Sequence, residues 1–366
     1  MKIIFLLTIF SIIFFSLGLF SNQILDFSLI LNNQYLASDS VEYVHENYLK
    51  SFNVKSIIHI MDEKDIFEKR SQLLNFIFKN SIPNDTMPNE ILFDVQDETF
   101  KNLSNLKKID QLTIKMEYGV DSITYLFHPK NSNNKLIIYH EGHSGDFING
   151  KDSIEYFLDN GFTVLAFSMP LMGKNSNPLV ENEFVGIMKL VDHDQLMFLE
   201  TNSFTPMKFF IEPIMISLNY IDDKYDFELY NMVGISGGGW TTSLYAAIDE
   251  RIQNSFSIAG SYPIFLRNEP KHVGDYEQLN PDLLKIANYL DLYILSSVGD
   301  NRRHFQIFIK NDSCCFGDGQ FIYYENFLTQ KINNLNGNFR IIEDDSTKKH
   351  EISNKILKLI VKNILE

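Results

Sequence analysis

Residues 231–252 read NMVGISGGGWTTSLYAAIDERI. A short apolar run ends at Ile235, Ser236 follows, and glycine stands at 234, 237, 238 and 239. Beyond the glycines, WTTSLYAAI has the residue types of a helix. The pattern is that of a strand turning sharply into a helix at Ser236. In so tight a turn flanking side chains collide, and glycine removes the Cβ that would collide. Such a turn lifts the serine oxygen clear of the strand. It also sets it at a helix N-terminus, where free N–H groups and a partial positive charge favour a developing anion.

Working outward, the chain from about residue 106 alternates strand-like and helix-like segments. LKKIDQLTIKMEYG and SITYLFHP alternate as a hairpin does. KLIIYHEGHSG is a short apolar strand running into a polar, glycine-containing loop, and SIEYFLDNG is a helix with a glycine stop. FTVLAFSMPLMG, YNMVGIS, NSFSIAGS, FQIFIKND and FRIIED read as further strands; MKFFIEPIMISLNYI, QFIYYENFLTQKINNL and EISNKILKLIVKNI read as helices. A less regular insertion covers about 261–305. Apolar strands alternating with helices predict an α/β fold with a mostly parallel sheet covered on both faces. Residues 22–105 read as a mostly helical extension, from the helical spacing in DSVEYVHENYL and EKRSQLLNFIFKN, which SIPNDTMPNE interrupts. Residues 1–21 hold one lysine and then an apolar run, Ile3–Phe20, the layout of a signal peptide or signal anchor. The expected domains are therefore 1–21, 22–105 and 106–366, with the last outside the cytosol.

Composition narrows the partners. Of 366 residues, 45% are hydrophobic and 22% charged, an ordinary globular balance. A net charge of −15 argues against nucleic acid and against anionic membrane surfaces, leaving the membrane only through the N-terminal segment. The only cysteines are the neighbours Cys314 and Cys315. Adjacent Cα atoms lie about 3.8 Å apart, below the usual disulfide range, so two small buried thiols are expected ahead of a strained vicinal bridge. No dinucleotide or phosphate-cradling motif is present, and no cofactor is implied.

Gly234-Ile235-Ser236-Gly237-Gly238 matches G-x-S-x-G, and its place at a strand-to-helix junction is what gives the match force. A serine nucleophile needs a base, and of nine histidines only His350 lies beyond the last strand. The acid belongs at the end of the strand before the penultimate helix. Asp312 fills that place if FQIFIKND is the strand; Asp300 fills it if LDLYILSSV is. Asp312 is preferred because it leaves a single helix before the last strand, and Asp318 is a distant third. Gly237 and either Gly142 or His143 are the candidate backbone donors to an oxyanion. His140 and His143 suggest a metal pair, but no carboxylate or cysteine pattern completes it, so no metal is expected. VDHDQLMF, which contains His193, opens a segment with the place of a lid; His193 itself reads as a surface or packing residue.

GISGG, YHEGH, NDSCCF and KKHEIS, in the order nucleophile, acid, histidine, resemble the α/β-hydrolase superfamily over about residues 106–366. The resemblance implies that Ser236 attacks an acyl carbonyl, His350 takes and returns the proton, and Asp312 orients the imidazole. HEGH and the double cysteine depart from the commonest pattern. The run of glycines typical of hormone-sensitive-lipase-like esterases is missing, which leaves the sub-family open. The expected activity is an exported serine esterase acting on a small ester or acetylated carbohydrate. The alternatives are a prolyl-oligopeptidase-like peptidase, for whose propeller too few residues precede the fold, and a non-catalytic binding protein on the same scaffold.

Overall fold

The computed structural model describes residues 47–366, so the apolar leader 1–21 and residues 22–46 lie outside the described residues. Asn53–Glu366 separates as one compact unit and is described by itself. Its strands are β1 (Glu90–Leu92), β2 (Leu106–Lys115), β3 (Asp121–Pro129), β4 (Lys135–His140), β5 (Thr163–Phe167), β6 (Leu179–Asn182), β7 (Gly186–Lys189), β8 (Leu229–Ile235), β9 (Ile252–Ile258), β10 (Arg303–Ile309) and β11 (Phe339–Asp344). The longer helices are α1 (Glu63–Phe78), α2 (Lys151–Asp159), α3 (Lys208–Lys224), α4 (Gly237–Ile248), α5 (Tyr289–Ser297), α6 (Glu325–Asn334) and α7 (Asn354–Leu365).

Nine strands form one sheet in the order β1-β2-β3-β5-β4-β8-β9-β10-β11, and β6 pairs with β7 apart from it. β1, β2, β3 and β5 pair antiparallel, while β5-β4-β8-β9-β10-β11 is parallel throughout. The inner parallel strands are buried along most of their length, β5 along all of it, because helices cover both faces, while the edge strand β11 is buried only at its two ends. One core layer is built from Ile137, Val164, Val233, Phe256 and Phe305 of five neighbouring strands. Against it pack Phe157 of α2 and Ile356, Ile360 and Ile364 of α7, a spacing of four that keeps them on one helix face.

Two features differ from the sequence reading, and one alternative it left open falls away. LDLYILSSV lies in α5, not in a strand. All nine residues of α5 are buried, so no amphipathic period marks it as a helix. The stretch 22–105 contributes β1, whose Ile91 pairs with Leu112, to the main sheet. Within that stretch α1 is joined to the body by Arg70, which donates to the carbonyls of Ala247 (3.1 Å) and Leu295 (2.9 Å). Cys314 and Cys315 form a vicinal disulfide rather than two thiols, and Cys314 is exposed. Among the described residues no helix is long and apolar enough to cross a membrane.

Candidate active site

The turn at Ser236 is as tight as its glycines imply. A Cβ on Gly234 would lie 2.1 Å from the Gly238 carbonyl oxygen, and one on Gly238 would lie 2.2 Å from that of His140. Ser236 itself has φ 56° and ψ −127°, a conformation L-residues seldom adopt, and it leaves α4 without a side-chain cap.

Parallel strands place their functional residues at their carboxyl ends, and here four loops meet at that edge. The loop after β4 carries Glu141, Gly142 and His143. The loop after β10 carries Asp312, and the one after β11 carries His350. Asp312 is fully buried at its side chain; its Oδ2 accepts from His350 Nδ1 at 2.8 Å and its Oδ1 from the Cys314 N–H at 2.8 Å. The two loops are laced together by Ser313 N–H donating to the Lys348 carbonyl at 3.1 Å. Asp344, at the end of β11, holds the histidine loop by accepting from Ser346 Oγ and Ser353 Oγ, both at 2.6 Å. With Nδ1 taken by Asp312, the opposite nitrogen of His350 is buried and has no partner among the described residues.

Asp300 occupies the turn between α5 and β10, exposed and at the other end of that strand from Asp312. Asp318 receives the Gln320 side-chain N–H at 2.6 Å. Gly142 abuts the serine: a Cβ there would lie 2.5 Å from Ser236 Cβ and 3.2 Å from its Oγ. Its N–H donates to Glu141 Oε1 at 3.0 Å. Gly237 faces His143, whose Cε1 would stand 2.4 Å from an added Cβ.

Sequence reasoning did not single out Glu141, yet it is buried beside the site. Tyr139 donates to its Oε2 at 2.7 Å and Ser144 to its Oε1 at 3.3 Å. Burial raises its pKa, against these hydrogen bonds and the field of His350. Two carboxylates from the insertion meet His143 and His193: Glu277 bridges the two histidines, and Asp275 reaches His143. His143 Nε2 lies 3.0 Å from Asp275 Oδ2 and 2.9 Å from Glu277 Oε1. Burial opposes a charge on His143, but these two carboxylates prevail and its pKa is pushed up to about 10. Glu277 is fully buried, which favours its neutral form, yet its hydrogen bonds to His143 and His193 hold it at about 2. His193 is buried rather than on the surface, and His140 turns away, its Nδ1–H donating to the Glu141 carbonyl at 2.9 Å. The pairing of His140 with His143 considered from the sequence is thus replaced by His143 with His193.

No family model matches this chain, and no curated protein matches it. Solved structures do. An acetyl xylan esterase from Paenibacillus sp. R4 superposes with a TM-score of 0.56 at 14% identity, covering 87% of this chain and 98% of that one. Acetyl xylan esterase 1 from Thermoanaerobacterium sp. JW/SL YS485 gives 0.54 at 16% identity, over 86% and 98% of the two chains. The methylesterase BT1017 gives 0.54 at 12% identity, over 88% of this chain and 67% of that one. The sheet order and these likenesses establish the α/β-hydrolase fold, with the sub-family unresolved.

Proposed function

We propose that this chain, with its α/β-hydrolase fold, is an exported serine hydrolase that cleaves a carboxylic ester. The observation that carries the reading is the His350–Asp312 contact of 2.8 Å, taken with a serine held at φ 56° on a strand-to-helix turn at the same carboxyl edge of the sheet. In the proposed reaction Ser236 Oγ attacks the ester carbonyl carbon while His350 Nε2 takes its proton. Asp312 keeps Nδ1 protonated, so that Nε2 is the basic atom and the imidazolium is stabilised as it forms. The carbonyl electron pair moves onto oxygen, where the Gly237 N–H at the positive end of α4 meets it. The second donor comes from the facing loop, through His143 or through Gly142 once its N–H leaves Glu141. Collapse expels the alcohol, which leaves with the proton from His350. Water activated by the same histidine then releases the acid from the acyl-enzyme.

Small esters and acetylated carbohydrates are the proposed substrates, supported by the acetyl xylan esterases among the structural neighbours. Export is inferred from the apolar run Ile3–Phe20. A fluorophosphonate probe and short p-nitrophenyl esters test the reading. The parent should label and turn over, and Ser236→Ala and His350→Ala should do neither. A folded parent that neither labels nor cleaves any ester would sink the hydrolase reading in favour of a binding scaffold.

A further inference from the structure

We infer that His143, His193, Asp275 and Glu277 form a divalent-cation site of the class that takes Zn2+, set against the nucleophile turn. The four side chains come from three segments far apart in sequence: the loop after β4, the start of the 3-10 helix His193–Leu199, and the short helix Tyr276–Leu279 with its preceding residue. One ligand atom from each lies within 4.8 Å of all the others.

The hydrogen-bond chemistry of the cluster leaves a cation's place in it. His193 Nε2 stands 2.9 Å from the Pro170 carbonyl oxygen, which only accepts, so the proton of the neutral ring sits there. Nδ1 then turns its lone pair toward Glu277 Oε2 at 3.2 Å and His143 Nε2 at 3.1 Å. A backbone carbonyl fixing the outer nitrogen of a histidine is the usual second partner of a metal ligand. At His143, Nε2 carries at most one hydrogen, yet Glu277 Oε1, Asp275 Oδ2 and His193 Nδ1 all lie within 3.1 Å of it. A protonated network satisfies one of these at a time; a cation at their centre satisfies all of them.

Size agrees. Four N and O ligands at about 2.1 Å from a tetrahedral centre stand roughly 3.4 Å from one another. The contacts that His143 and His193 make within the cluster, 2.9–3.2 Å, and the 4.8 Å limit on all of its ligand atoms bracket that figure. Two imidazoles and two carboxylates suit zinc and its neighbours better than calcium or magnesium, which prefer oxygen alone. The floor is closed, with the His193 and Glu277 side chains 1% and 0% exposed, while Asp275 at 45% leaves a way in. A bound ion would pin the loop carrying Gly142 and His143 against Gly237 and tie it to the insertion. Its part is therefore to position that loop rather than to attack the ester.

The test uses the full chain, stripped with a chelator, dialysed and titrated with Zn2+ by calorimetry, with Co2+ spectra alongside. One Zn2+ per chain is expected, with visible Co2+ bands of a low-coordinate N/O site and a melting temperature that rises with free zinc. Asp275→Asn should weaken Zn2+ by about tenfold or more, and His193→Gln and Glu277→Gln should abolish stoichiometric binding. Circular dichroism checks that each variant folds. Asp275 is half exposed, so Asp275→Asn carries the test if the buried variants do not fold. Cys314→Ser addresses the other cluster able to hold a metal, Cys314, Cys315 and His350, and should leave Zn2+ binding unchanged. The inference is overturned by an absence of saturable binding, by wild-type affinity in Asp275→Asn and His193→Gln, or by loss in Cys314→Ser alone. None of these readouts passes through ester turnover, so failure of the hydrolase reading would not disturb them.

Discussion

Replacing the residue at position 236 tests the strained turn directly. With φ 56° and ψ −127°, any residue bearing a Cβ at this position is strained. Strain of this kind costs roughly 1–3 kcal/mol. Glycine escapes it but brings a looser unfolded chain, which costs about 0.4–1 kcal/mol relative to alanine. The difference predicts Ser236→Gly to be more stable than Ser236→Ala by about 1–2 kcal/mol, the reverse of the order in an ordinary helix or strand. For a unit of this size the unfolding entropy is on the order of 0.7 kcal/mol/K, so the melting temperatures should differ by roughly 1.5–3 °C. The assay is urea denaturation followed by the fluorescence of Trp240, the chain's only tryptophan, buried four residues beyond the serine. Both variants should be inert to fluorophosphonate, which separates the backbone effect from the chemistry. If Ser236→Gly is no more stable than Ser236→Ala, the turn is not strained and the argument from glycine spacing to an exposed hydroxyl fails.

Other perturbations read different parts of the site. Asp312→Asn should lower kcat/KM by roughly 10³–10⁴-fold through loss of the Nδ1 partner. Asp300→Asn should change it by less than about twofold, and the opposite ranking in p-nitrophenyl acetate kinetics would exchange the acids. Gly142→Ala puts a methyl 2.5 Å from Ser236 Cβ, so it should cost about 1–3 kcal/mol in urea denaturation and roughly 10²-fold in turnover. Wild-type values for both would mean that this loop does not abut the serine. Burial first, and then Arg302, lowers the pKa of His304 to about 3. Its unfolded value is about 6.5, so the unfolded chain binds the extra proton and stability is lost as pH falls through that window. Between pH 6.5 and 5 the loss is about 1.6 kcal/mol, and it should be missing from His304→Asn when urea midpoints at the two pH values are compared.

The α/β-hydrolase fold was legible because its signals are local. Apolar runs short enough for strands, glycine stops and helical spacing recur from residue 106 onward. The G-x-S-x-G stretch marks one strand-to-helix junction by residue size alone. His350 was found by its order in the chain, being the one histidine beyond the last strand. Where periodicity is silent the reading divided. α5 is buried on every side, so its sequence is uniformly apolar and reads equally as a strand. That ambiguity is why Asp300 stood beside Asp312.

The sequence by itself determined the kind of sheet, the tight turn at Ser236 and the loop that carries His350, because each follows from residues near one another in the chain. Only the tertiary structure brought Asp312 to 2.8 Å from His350 and buried the Glu141 side chain. It alone also gathered His143, His193, Asp275 and Glu277, whose members lie up to 134 residues apart. The physical reason is common to all of these. A carboxylate or imidazole in a loop leaves no trace in hydropathy or period, and its chemistry is set by whichever distant group the packing of the sheet delivers beside it.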